Sequence, residues 1–243
     1  MVNDNLQQLI NDTFNRWFYS FSYSFARHSN SNKHTKQVVF DKDFSKNLPI
    51  GWKIESIANN SLCSFVDVGV PHFKKKNYLA TANIDGTIIF DGENITFENR
   101  ESRANMQPAI NTVWFAKMKN SIKHLFVSKK GQWIVDKYIL STGFSGLKCD
   151  GISFSYIASV VMQPYFENTK DILSHGATQE GVNNEDLDSI PLLIPPRGIL
   201  NGYNCIVKPY FEKMNDIMLE NQRLVNMRNE LLPLLMNGQV IVR

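Results

Sequence analysis

Side chains able to clamp phosphates and read base edges crowd the middle of this 243-residue chain. Between Arg100 and Lys137 stand eight basic residues (Arg100, Arg103, Lys117, Lys119, Lys123, Lys129, Lys130 and Lys137) against Glu101 and Asp136, whereas Glu180 to Asp188 holds four acids and no base. Guanidinium and ammonium groups neutralise phosphate. Arg also pairs with guanine, Asn or Gln with adenine, and Ser or Thr with either. Tyr78, Asn83, Ser102, Ser141, Thr142, Thr178 and Gln179 complete this inventory of candidate binders. A net charge of +3 is too small to imply nucleic acid by itself. Its uneven distribution predicts one positive face on the middle of a near-neutral molecule.

Catalytic patterns are missing. There is no G-x-x-x-x-G-K-[ST] loop, no G-x-G-x-x-G, no H-E-x-x-H and no G-x-S-x-G elbow. Adenine methylation calls for an Asn/Asp-Pro-Pro-aromatic loop, and Ile194-Pro195-Pro196-Arg197 is not one. Asp136 has no evident acid-base partner and reads as a surface acid. Cys63, Cys149 and Cys205 are odd in number and show no C-x-x-C spacing, so they read as structural thiols. His28 and His34 lack a surrounding ligand cluster, and no metal site is expected. The expectation is a binding protein with no catalytic residue.

The element that must organise these groups is Tyr203 to Met236. Tyr203, Val207, Tyr210, Met214, Ile217, Leu224, Leu231 and Leu235 form a 3.5-residue seam, widened by Phe211, Met218, Val225 and Leu232 and interrupted by Asn221 and Arg228. A helix over this stretch is about 50 Å long at 1.5 Å per residue and needs a partner helix to cover its stripe. Val207, Tyr210, Met214, Ile217, Leu224 and Leu231 are therefore expected to face a second helix. Pro209 is expected within the first turn or two, and Pro233 near the end.

Asn5 to Phe25 carries apolar, largely aromatic residues at helical spacing. Ala26 to Asn47 reads as a linker. Lys53 to Asn60 reads as a short helix. Thr87–Phe90 and Asn94–Phe97 read as a hairpin around Asp91-Gly92. Asn111–Lys117, Lys123–Val127 and Trp133–Leu140 read as strands, and Ile152–Phe166 as a helix. Three prolines in IPLLIPPRG mark the boundary before the long helix. The fold class is α+β, a mixed α/β domain with a short N-terminal helix and a long C-terminal coiled-coil helix. Its units are 1–25, 26–47, 48–198 and 199–243. No apolar run reaches bilayer length, and MVNDNLQQL lacks a signal-peptide layout, so a cytoplasmic location without membrane contact is expected.

Several segments together resemble the specificity (S) subunit of type I restriction-modification systems. LPIGW at 48–52 is similar to that family's entry into its target-recognition domain. RESRA at 100–104 and ILSTGF at 139–144 resemble internal strand and turn signatures. GATQEGVNNEDLDSIPLLIPP at 176–196 and LLMNGQVIVR at 234–243 resemble its later segments. The resemblance implies loops that read double-stranded DNA in the major groove, with Arg103, Lys117, Lys119 and Gln179 foremost and Arg100, Lys123 and Thr178 beside them. It also implies helices that dock methyltransferase subunits, and a restriction subunit, with S-adenosylmethionine, ATP and Mg on those partners rather than on this chain.

The family carries two recognition domains and two conserved helices per chain; this sequence has one unit, with FNRWFYSF resembling the distal end of a preceding helix. The implied assembly is a homodimer through the helices that reads an interrupted palindrome. A coiled-coil adaptor whose α/β domain binds protein, and a stand-alone DNA-modifying enzyme, remain open as alternatives.

Overall fold

The computed structural model describes residues 2–19, 51–176 and 180–237. Helix α1 (Val2–Phe14) runs into a π-helical turn over Asn15–Tyr19. The expected continuation to Phe25, the linker at 26–47 with His28 and His34, and the first three residues of LPIGW lie outside the described residues. So do Thr178, Gln179 and the tail from 238.

Twelve short strands follow among the described residues: β1 (Lys53–Ser56), β2 (Cys63–Phe65), β3 (Lys76–Leu79), β4 (Ile84–Asp85), β5 (Ile88–Ile89), β6 (Glu93–Ile95), β7 (Ala104–Met106), β8 (Thr112–Ala116), β9 (His124–Val127), β10 (Tyr138–Ser141), β11 (Phe144–Cys149) and β12 (Pro191–Ile194). Between them lie α2 (Gln132–Lys137), α3 (Phe154–Val161) and α4 (Pro164–Leu173); α5 (Arg197–Met236) follows β12.

Two four-stranded sheets, ordered β2-β11-β8-β9 and β6-β3-β10-β7, are joined where β10 passes to β11 through Thr142-Gly143. The first sheet is antiparallel throughout; in the second, β10 runs parallel to β3. Strand β8 is buried on both faces, so its alternation divides between two cores. Val113 and Phe115 face a core shared with the helices, while Trp114 and Ala116 face a core shared with Leu79, Tyr138 and Leu140 of the other sheet. Across the ladder from Trp114 sits Gly146, where a Cβ would lie 2.5 Å from the indole ring; only glycine fits.

The helical core is aromatic. Phe14, Trp17 and Phe18 pack on Tyr203 of α5, with ring centroids 4.9 to 6.3 Å apart, and Phe14 and Phe18 also pack on Tyr156 of α3. The buried phenols find partners: Tyr203 donates to Ser159 Oγ at 2.7 Å, and Tyr156 to the Leu193 carbonyl at 2.5 Å. Further along α5, the buried Asn215 accepts from the Ser128 amide and hydroxyl and donates to the Phe126 carbonyl, fastening the helix to β9.

This packing runs across the expected divisions of the chain. Helix α1, the sheets and the first half of α5 share one continuous core across the boundaries at 25 and 198. Val207 and Met214, expected to face a second chain, are 0 % and 2 % exposed inside their own. Tyr210 packs against the same core and Ile217 is half-buried. Only beyond Gln222 does α5 stand clear, exposing Leu224, Val225, Met227, Leu231, Leu232, Leu234 and Leu235. At 40 residues the helix measures about 60 Å at 1.5 Å per residue. Because it begins at Arg197, Pro209 lies in its interior rather than in its first two turns.

Other local expectations also change. Lys53–Ser56 is a strand because it pairs antiparallel with Pro191–Ile194, a partner far along the chain. The run around Asp91-Gly92 is no hairpin: β5 pairs with β4 through a turn at Gly86 (φ 55°), and β6 joins β3. Asp91 instead takes the Lys137 ammonium at 2.8 Å and the Tyr138 hydroxyl at 2.6 Å. Trp133–Leu140 splits into α2 and β10, and Ile152–Phe166 into α3 and α4, with Pro164 opening the second helix. Cys63 and Cys149 are buried and directly opposed across β2 and β11, whereas Cys205 is exposed.

Candidate nucleic-acid interface

Five turns meet at one rim of the two sheets, and backbone hydrogen bonds tie them together. Thr142 donates to the Arg103 carbonyl at 2.9 Å, and Lys117 donates to the Gly143 carbonyl at 2.9 Å. The Lys117 carbonyl accepts from Val182, and Lys119 donates to the Glu180 carbonyl, both at 3.0 Å. His175 and Gly181 exchange two hydrogen bonds beside them. Lys123 reaches back to the Thr81 carbonyl at 2.6 Å, bringing in the turn before β4. Gly143 permits the closest approach: a Cβ there would meet Thr81 at 2.9 Å and stand 3.9 Å from the Arg103 guanidinium.

Arg103, Lys117, Lys119 and Lys123 are therefore neighbours, although separated by up to twenty positions in sequence. Their electrostatic states differ. Arg103 is exposed, with no side-chain hydrogen bond or ion pair among the described residues. Lys119 pairs with Glu180 at 2.8 Å, and with both groups 35 % and 50 % exposed such a pair contributes only about 0.2–1 kcal/mol. Lys117 is half-buried, and desolvation lowers its pKa below the usual lysine value.

The predicted positive face is divided. Lys129 and Lys130 lie at the opposite end of β9, and Lys137 is held by Asp91 and Gln222 beside α5. Arg100 is used within its own turn: its guanidinium covers the Phe97 ring at 3.9 Å and donates to the Phe97 carbonyl. Asn83 and Ser141, two further candidate binders, are used within turns, accepting from the amides of Ala80 and Gly143. Asp136 is exposed and accepts from Gln132 one turn away, as a surface acid.

Two rim residues escaped sequence reasoning. Asn120 is exposed in the left-handed region (φ 53°), and Ile122 is 61 % exposed beside it. Asn after a lysine-rich strand end was the available signal for the first, since Asn tolerates that backbone better than most residues. For the second there was none.

Behind the rim lies a buried ionic chain. His124 Nε2 is 2.7 Å from Glu167 Oε1, and Lys170 Nζ is 2.5 Å from Glu167 Oε2. Burial opposes ionisation of Glu167, but the hydrogen bond and charge of His124, with Lys170, prevail and lower its pKa. Among the described residues no group of three or more His, Cys, Asp or Glu is placed to hold a metal ion, and no helix is long and apolar enough to cross a membrane.

The architecture is a mixed α/β domain carried on one long helix. The HsdS subunit from Thermoanaerobacter tengcongensis has a similar fold, with a TM-score of 0.50 and 19% identity over 77% of this chain and 47% of that one. A chain of a type I R-M system, from a study of its assembly and conformational transition, matches at TM-score 0.48 and 18% identity over 79% and 47%. The chain thus spans just under half the length of these proteins. At such identity the likeness is one of fold. No family model matches the sequence, and no curated protein matches it.

Proposed function

We propose that this chain is a DNA-binding specificity subunit of a type I restriction-modification complex, that it reads one half of a bipartite target, and that it performs no chemistry itself. The observation that carries the reading is the gathering of Arg103, Lys117, Lys119 and Lys123 onto one rim of a domain whose fold resembles that of HsdS. Thr178 and Gln179, which fall between His175 and Gly181 in the sequence, join the proposed reading set. Arg100 supports its turn and contacts phosphate at most.

The exposed apolar end of α5 is the proposed dimer element, with Leu224 and Leu231 at its centre. A helix about 60 Å long is sufficient to hold two domains about 34–36 Å apart, one helical turn of DNA. Methyltransferase subunits, and a restriction subunit, are the proposed partners in a cytoplasmic complex; they would carry S-adenosylmethionine, ATP and Mg.

Methylome sequencing of a host carrying this chain with a modification partner tests the reading. An interrupted palindrome methylated only when both genes are present is the expected result. Methylation or cleavage by the purified chain alone would instead establish an enzyme, and duplex binding without salt dependence would favour the adaptor.

A further inference from the structure

We propose that Lys170 is a positioning residue that sets the shape of the loop Lys117–Ile122 as a base-reading loop, with Asp171 as its second hold. This rests on the DNA-reading function above and deepens it. Lys170 is 0 % exposed, an unusual place for an ammonium group. Its ammonium donates to two carbonyls, Ala116 at 3.2 Å and Ser121 at 3.1 Å, and forms an ion pair with Glu167 Oε2 at 2.5 Å, without a hydrogen bond to that oxygen. Ala116 is the last residue of β8, and Ser121 closes the loop before β9. One side chain therefore grips both feet of the loop. One residue further on α4, Asp171 Oδ1 accepts the Asn120 amide at 3.0 Å, at the position with φ 53°. Glu167 in turn ties Lys170 to His124, the first residue after the loop and its flanking Lys123.

Stability alone does not call for an ion pair here. A buried ion pair loses in desolvation about what it gains in attraction, and well-packed apolar residues often serve as well. What apolar residues cannot supply is a partner for two inward-turned carbonyls whose separation fixes the loop's width. The loop so held exposes an amide at Asn120 and an apolar side chain at Ile122, with the Lys119 ammonium alongside. These are the chemistries that meet adenine, the thymine methyl and phosphate.

The test compares the full-length wild type with Lys170→Met and Asp171→Ala, using a randomised duplex library enriched on the wild type and the unselected library as probes. In Lys170→Met the preference for enriched over unselected duplex falls about tenfold or more, the equivalent of at least one misread base pair. In Asp171→Ala it falls about threefold, the worth of one hydrogen bond. The slope of log affinity against log salt stays within about one of wild type, because every phosphate-facing cation is retained. The Asn120 amide exchanges hydrogen faster in both variants.

An unchanged preference in a folded Lys170→Met overturns the positioning role. If that variant fails to fold, Asp171→Ala decides, since its carboxylate lies at the partly exposed edge of the cluster, and an unchanged preference there has the same force. A wild type that enriches no duplex removes DNA reading itself, a result distinct from enrichment followed by variants that read as well as the parent.

Discussion

Replacing Leu224 and Leu231 together by alanine separates a helix that packs within its own chain from one that also joins two chains. The leucines are 52 % and 46 % exposed, so each retains about half of its surface for a partner. Burying a whole leucine yields about 1.5–3 kcal/mol, so each remaining half is worth about 1 kcal/mol. Two sites on two chains come to about 4 kcal/mol, roughly a thousandfold in dimer Kd. Alanine is the best helix former, and surface changes usually move folding by less than about 0.5 kcal/mol, so the monomer's circular dichroism and melting should be unchanged. Met214→Ala is the control: this side chain is buried in its own core, and its truncation should cost about 2–5 kcal/mol of folding stability. A dilution series followed by sedimentation velocity, with melts on the same samples, reads both effects. A wild type that stays monomeric, or a double variant that dimerises within threefold of wild type, would refute the reasoning.

A chain ending at Arg223 keeps the last buried residue, Gln222, and should fold as a monomer by light scattering, whereas ending it at Ile199 removes Tyr203, Val207, Phe211 and Met214 from the core and should abolish cooperative melting. Glu180→Gln frees Lys119 and removes a rim carboxylate; affinity for unselected duplex at low salt should rise a few-fold, with a salt slope steeper by about one. Asn215→Ala leaves the Ser128 amide and the Phe126 carbonyl unpaired at about 1–3 kcal/mol each, which at about 2–4 °C per kcal/mol predicts a fall in Tm of roughly 4–24 °C by calorimetry. The lowered Glu167 pKa means that the unfolded chain binds the extra proton. Its stabilisation is full above the ordinary carboxylate range and is lost as pH falls through the lowered value. Urea midpoints should decline with acid in the wild type and less so in Glu167→Gln.

Periodicity made the long helix, the aromatic face of α1 and the strands at 112–116 and 124–127 legible, because each signal lies within one element. What escaped depended on distant partners. Lys53–Ser56 becomes a strand only beside Pro191–Ile194, and the seam at Val207 and Met214 is the same pattern whether a second chain or the chain's own sheet covers it. At the rim, residue type singled out Arg103, Lys117, Lys119 and Lys123, and the hydrogen bonds through Thr142-Gly143 and Thr81 bring them together. Type could not separate them from Lys129 and Lys130, which a few residues of β9 carry to the other end of the sheet. Lys170 escaped entirely, since a lysine on an amphipathic helix reads as solvated until the two carbonyls and the carboxylate around it are seen.

The packing of α1 on α5 also opens a route for engineering: Gln7 bonds Thr87 while Gln222 of α5 bonds the nearby Ile89 carbonyl, so the start of α1 lies toward the bare leucines. A helix grown backwards from Val2 by about 20 residues at 1.5 Å each would run the length of that stripe. Supplied with leucines at matching intervals, it would turn a contact between molecules into one within a molecule, at an effective concentration no dissolved partner reaches.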